Sequence, residues 1–197
     1  MNPDFRDLFA EFNAQGVEYL VVGAHALGVH GHVRATKDLE VWVRPEAGNA
    51  KRVLKALASF GAPLQDLTEA DLAGPGLIFQ MGLPPVRIDI LTSIDGVEFD
   101  EAWPARVVTK FADQPVGVLS KEHLIKNKRS SGRTQDLADI ERLGPFERRK
   151  LNPDYSRSPR SGGLDPAMSG RSHLPMAIAR TEDRRRGSAP TATSRRP

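Results

Sequence analysis

The run Lys37-Asp38-Leu39-Glu40-Val41-Trp42-Val43 limits what this chain can fold into more than any other stretch, because it has the apolar content of a strand and yet carries two acids. Side chains of a strand alternate between faces, so Leu39, Val41 and Val43 point one way and Asp38, Glu40 and Trp42 the other. Two like charges on a face packed among apolar neighbours raise the energy of the fold unless water or a cation compensates them. Same-face positions lie roughly 7 Å apart along a strand, close enough for converging carboxylates to hold cations about 4 Å apart. The pattern fits either the wet face of an edge strand or the floor of a metal site.

The flanking sequence supplies a frame of alternating helices and strands. Asn2 and Pro3 open a helix whose Phe5, Leu8, Phe9 and Phe12 recur at helical spacing until Gly16. A continuous apolar strand over 17–22 then runs into the small-residue turn Gly23-Ala24-His25-Ala26 and a short helix reaching about His30. After the acidic strand, Pro45 opens a helix with Val53, Leu54, Leu57 and Ala58 on one face, ending at Gly61. A short helix over 69–72 and a strand over 77–81 follow. In the strand over 86–91, Val86, Ile88 and Ile90 share one face, and Arg87 and Asp89 the opposite one. Asp89 is thus a third acid within an apolar strand. A short segment over 99–103, strands over 107–111 and 116–118, a helix capped by Ser120 and a last helix from about Gln135 complete the core.

Composition narrows the chemistry. With no cysteine among 197 residues, disulfides, thiolate zinc sites and cysteine nucleophiles are excluded, so any metal must use oxygen or imidazole. His25, His30 and His32 lack established zinc-ligand spacing and read as core or surface residues. No stretch approaches the ~18 apolar residues of a membrane span, the N-terminus lacks the layout of a secretory signal, and the expectation is a cytoplasmic protein without membrane contact. The formal charge of +3 belongs to the C-terminal end, where nine arginines against four acids follow Leu151. Rich in Arg, Pro, Ser and Gly, residues 149–197 are expected to be a disordered tail behind a single domain at 1–148. No Gly-x-x-x-x-Gly-Lys-(Ser/Thr) loop is present, so a P-loop NTPase is not supported.

Three features coincide: a glycine turn after a strand, an acid pair on the next strand and a lone acid in a later one. Val22-Gly23-Ala24 followed by Asp38-Leu39-Glu40 resembles the nucleotidyltransferase superfamily signature, a hydrophobic-Gly-(Gly/Ser) turn with an Asp-x-(Asp/Glu) pair, and Asp89 matches its third carboxylate. Arg34-Ala35-Thr36-Lys37-Asp38, Arg87-Ile88-Asp89-Ile90-Leu91 and the stretch from Lys128-Arg129-Ser130-Ser131-Gly132-Arg133 through Asp136 to Ile140 are similar to small bacterial nucleotidyltransferases, among them relatives of the AbiEii toxins. The resemblance spans roughly residues 17–143. Ala24 departs from the usual second Gly or Ser, and Glu40 is one methylene longer than the Asp of many relatives.

The resemblance implies an α/β (α+β) nucleotidyltransferase fold, a small mixed sheet flanked by helices with a C-terminal helical segment. It implies magnesium-dependent transfer of a nucleoside monophosphate from an NTP to a hydroxyl of RNA, such as a tRNA 3′ end, or of a partner protein, within a toxin–antitoxin system that supplies a cognate toxin or antitoxin partner. Asp38, Glu40 and Asp89 become the catalytic residues and the ligands of two Mg2+ ions. Gly23, Ala24 and His25 at the turn, Lys37 beside the acids, and Lys128, Arg133 and Asp136 in the C-terminal segment become the nucleotide-binding candidates. Arg34 and Lys37 beside the acids either steer phosphate or balance charge, and Trp42 either packs or stacks on a base. Two rivals stand beside this reading: a non-catalytic member that keeps the fold as an interaction module, and a nucleic-acid binder working through the arginine tail.

Overall fold

Asn2 Oδ1 accepts a hydrogen bond from the Asp4 amide at 2.9 Å, and Pro3 occupies the first turn of α1 (Pro3–Ala14), whose Phe5, Leu8, Phe9 and Phe12 are buried. The computed structural model describes residues 2–144 apart from Lys37, Gln65, Pro84 and Pro85; the expected tail at 149–197 lies outside the described residues. After α1 come β1 (Tyr19–Val21), α2 (Gly23–Val29), β2 (Asp38–Val43) and α3 (Ala47–Phe60). The capping box of Thr68 and Asp71 opens α4 (Glu69–Ala73). Strands β3 (Ile78–Leu83) and β4 (Val86–Leu91) precede the short α5 (Phe99–Ala102), and β5 (Val107–Phe111), β6 (Gln114–Val118), α6 (Lys121–Ser131) and α7 (Thr134–Leu143) follow.

The six strands form one mixed sheet in the order β3-β4-β2-β1-β6-β5. β2 runs parallel to β4 and β1 parallel to β6, and the other pairings are antiparallel. The expected class, a small mixed sheet flanked by helices, is the one observed. Alternation along β2 and β4 seals Leu39, Val41, Val43, Ile88 and Ile90 from solvent. Each such side chain contributes roughly 1.5–3 kcal/mol. α1 packs on α3 and β6, and α2 links β2 to α6.

Two local details depart from expectation. β6 begins at Gln114 and so contains Pro115, a residue that cannot donate to a ladder. It is tolerated because β1 meets β6 only at Val21 opposite Val118, and the Pro115 carbonyl accepts from Asn13 Nδ2 at 3.0 Å. Ala112 and Asp113, both at positive φ (45° and 69°), make the tight turn into that strand. The helix expected from Pro45 begins instead at Ala47. Asn49 in its first turn is fully buried, accepting from the Glu18 amide and donating to the carbonyls of Glu18 and Arg44. That side chain ties the entrance of β1 to the exit of β2, fixing the strand whose acids matter most.

Candidate active site

Parallel pairing sets Asp38 opposite Arg87, Leu39 opposite Ile88 and Glu40 opposite Asp89. Since alternate residues share a face, this register gathers Asp38, Glu40, Arg87 and Asp89 on one side of the sheet as three acids and a cation. Adjacent strands lie roughly 4.8 Å apart, so Glu40 and Asp89 border the same small volume. β3 extends the row: Gln80 is opposite Asp89 and donates from Nε2 to Oδ1 at 3.2 Å. Arg87 bridges the acids, with Nη2 donating to Asp38 Oδ2 at 3.0 Å and to Asp89 Oδ2 at 3.2 Å, and Nε 2.9 Å from Asp89 Oδ1.

The opposite wall is the turn between β1 and α2. The Val22 amide donates to the Glu40 carbonyl at 3.0 Å, and Gly23 then takes φ +62°, a left-handed conformation that turns the chain away from the sheet. A β-carbon at Gly23 would lie 1.6 Å from Glu40 Oε2, so only glycine leaves room for that carboxylate. On the far side, α6 is held against the loop after β4: Asn127 Nδ2 donates to the Asp95 carbonyl, and Gly96 (φ +72°) sits where a β-carbon would strike Ser130 Oγ. Between these walls opens a cleft of about 1540 Å³, bordered by Gly23, Ala24, Glu40, Arg87, Asp89 and the start of α7.

Burial raises the carboxyl of Glu40 above its ordinary range, and the charges of Asp89 and Asp38 push the same way against Lys128 and Arg133. Burial likewise raises Asp89, opposed by the charge and hydrogen bond of Arg87. Both acids therefore hold protons more tightly than free carboxyls, the expected result of crowding anions in a partly dry cleft. A second charged group lies deeper. Lys128 Nζ donates to Asp136 Oδ1 at 2.7 Å and to Asp139 Oδ2 at 2.9 Å, with side-chain exposures of 5% for the lysine and 0% for Asp139. Arg34 Nε stands 3.9 Å from Asp139 Oδ1. Burial of Asp139 opposes its ionisation, but Lys128, Gln135 and Arg34 outweigh it and hold the carboxyl low.

The structure brings most of the candidates to one place. Gly23, Ala24, Glu40, Asp89, Lys128, Arg133 and Asp136 all border the cleft, and Asp38 joins them through Arg87. Lys128 is committed to two carboxylates, whereas the exposed Arg133 forms no ion pair among the described residues. His25 is not brought to the cleft wall: its ring sits edge-on to Phe5 and Phe111 at 5.7 and 6.1 Å, and burial lowers its pKa to about 4. Lys37 lies outside the described residues. Trp42 borders the cleft but is buried, packed edge-on to Phe99. His30 Nε2 bonds the Leu119 carbonyl at 2.7 Å.

Sequence reasoning missed Arg87, Gln80 and Asp139 as members of the site. The first was legible in principle, because Arg87 and Asp89 share a face of one strand. Asp139 is three residues beyond Asp136 and so on the same helical face, which the run Gln135-Asp136-Leu137-Ala138-Asp139 also displays. Gln80 needed the pairing of β3 with β4, which a sequence does not print.

In donor type the three carboxylates fit magnesium, a hard cation that takes oxygen ligands. One guanidinium nitrogen within hydrogen-bond reach of both Asp38 and Asp89 shows that these two acids converge on a shared cation position. As the side chains stand around Arg87, no group of three or more His, Asp or Glu among the described residues closes around a point for an ion.

No known family and no curated protein matches the sequence. In structure, the chain is similar to a Thermotoga maritima protein, TM1012, described as a "putative nucleotidyltransferase", at 11% identity and a TM-score of 0.45, over 70% of this chain and 88% of that one. It is also similar to the lincosamide antibiotic adenylyltransferase LnuA with lincomycin bound, at 14% identity and a TM-score of 0.44, over 74% of this chain and 97% of that one.

Proposed function

We propose that this protein is a magnesium-dependent nucleotidyltransferase that moves a nucleoside monophosphate from an NTP to an acceptor hydroxyl and releases pyrophosphate. The observation that carries this reading is the register of β2 against β4, which aligns Asp38, Glu40 and Asp89 on one face of the sheet, with Glu40 and Asp89 bordering a cleft walled by Gly23. Asp38, Glu40 and Asp89 would hold the ions. Bound magnesium would neutralise phosphate oxygens and favour ionisation of the acceptor hydroxyl.

The remaining work belongs to the chain's own groups. Asp89, a carboxylate bordering the cleft, would take the hydroxyl proton as the acceptor oxygen bonds to the α-phosphorus and the α–β phosphoanhydride bond breaks. Arg133, exposed at the cleft border, would meet the triphosphate in this reading, and Lys37 is a further basic candidate from the sequence. Lys128, held by Asp136 and Asp139, acts from behind by balancing Glu40. The acceptor in this reading is an RNA 3′ end such as that of tRNA, or a hydroxyl of a partner protein, with a toxin–antitoxin pair as the setting.

One observation favours the rival reading of a non-catalytic interaction module: Arg87 already neutralises two of the three acids. A labelled-NTP transfer assay on total RNA and on cell protein separates the two. Wild type should label an acceptor only with magnesium, and Asp38→Ala and Asp89→Ala should lose labelling by at least about 100-fold. Equal labelling by all three proteins refutes the mechanism, and NTP binding that ignores EDTA supports the module.

A further inference from the structure

Arg87 stands among the acids of the floor and has no role in the transfer as proposed above. It is aligned opposite Asp38 by the ladder, shares a face with Asp89 two residues along its own strand, and contacts both carboxylates through one nitrogen. Its Nε lies 2.9 Å from the second oxygen of Asp89, a charge contact without hydrogen-bond alignment, so the one aligned donor, Nη2, is shared between the two acids. Gln80 Nε2 takes what remains of Asp89 Oδ1. A magnesium ion sits only about 2.1 Å from its oxygen ligands, and a dication on Asp38 and Asp89 would therefore lie within a few ångströms of a monocation bonded to the same atoms. The two cannot share those oxygens without strong repulsion.

We infer that Arg87 is a built-in competitor of the divalent cation: it holds Asp38 and Asp89 in place before the ion arrives and has to leave them for the ion to bind. The inference rests on the metal reading of the site given above. Arg87 itself borders the open cleft, so the displaced guanidinium has space to move into and remains beside the volume where a triphosphate would lie. Arg87 is thus a positioning residue: it keeps Asp38 and Asp89 from repelling one another in the ion-free chain and makes ion binding weaker than the carboxylates alone would give.

The test is titration of the full-length chain with Mn2+ alone, followed by electron paramagnetic resonance or calorimetry, with thermal melting with and without the ion. Arg87→Gln should bind Mn2+ on the order of tenfold more tightly than wild type, since it removes a positive charge in contact with two ligands. Its melting temperature without the ion should fall, and saturating Mn2+ should restore it. Arg87→Lys retains the charge but cannot span both acids, so its affinity should lie between the two; it also carries the test should Arg87→Gln fail to fold without metal. Affinity in the variants equal to or weaker than that of wild type overturns the inference and leaves the metal reading intact. Absence of Mn2+ binding in every variant and in wild type overturns both.

Discussion

The carboxylate of Glu40 occupies the space a side chain would take at Gly23: a β-carbon there would lie 1.6 Å from Oε2. Gly23 also holds φ +62°, where a β-carbon costs roughly 1–2 kcal/mol. Gly23→Ala should therefore destabilise the fold by about 2 kcal/mol in urea denaturation and reduce nucleotide transfer by at least about tenfold, because Glu40 is driven from the floor. Shortening the acid relieves the collision. The double variant Gly23→Ala with Glu40→Asp should recover part of the stability, and strict additivity of the two changes would show that the contact does not matter.

Among the described residues, Lys128 and Asp139 form the most enclosed charge pair, with Asp136 as second partner. Removing one side of such a pair leaves an uncompensated buried charge, at a cost of about 3–5 kcal/mol. Lys128→Met should accordingly lose stability by that amount, with any loss of transfer at low temperature small by comparison. A variant as stable as wild type that fails to bind NTP would make Lys128 a direct phosphate ligand instead. Because the folded-state pKa of Asp139 is depressed, its contribution is present above the ordinary carboxyl value near 3.9 and is lost as pH falls further.

His25 has its ring between Phe5 and Phe111, with neither ring nitrogen bonded. Its pKa is lowered to about 4, against about 6.5 in an unfolded chain. The unfolded state therefore binds a proton that the native state refuses, and stability falls as pH drops from 6.5 towards 4, by at most on the order of 3 kcal/mol. His25→Leu should flatten that part of the stability profile. Since the ring is not brought to the cleft, the variant should label acceptor within about threefold of wild type, under ~0.7 kcal/mol in barrier. A larger loss would return His25 to the nucleotide site.

How far the sequence could be read depends on the range of the forces involved. The strand of Asp38 and Glu40, the glycine turn at Gly23 and the helices opened by Asn2 and Ser120 follow from periodicity and capping, which act over a few residues. That Asp89 would stand opposite Glu40 is a matter of register, invisible locally; the resemblance to nucleotidyltransferases implies only that the three acids meet, and the ladder supplies the pairing. His25 misleads for the same reason. It follows the glycine turn, yet α2 rotates it inward, and only the positions of Phe5 and Phe111 reveal that its surroundings are apolar. Arg87 was read as the polar alternate of a strand, and its pairing with Asp38 depends on a strand 49 residues away.

Glu40 sets activity and stability against each other. Burial and the neighbouring acids raise its pKa, so the fold prefers its neutral form. For a carboxyl raised in this way, the stabilising contribution is full below the ordinary value near 4.3 and is lost as pH rises through the raised folded-state value. In the ion-free chain Glu40→Gln fixes the neutral form at every pH, so it should melt higher than wild type at neutral pH, by about 1 kcal/mol, with the gap closing on acidification. The same change removes an ion ligand from the proposed site and should abolish magnesium-dependent labelling. Saturating Mg2+ should then raise the melting temperature of wild type and leave that of Glu40→Gln nearly unmoved. A Glu40→Gln protein less stable than wild type at neutral pH would mean that the ionised carboxylate is held by favourable contacts, and the crowding of anions on this floor would have to be abandoned as the source of its metal affinity.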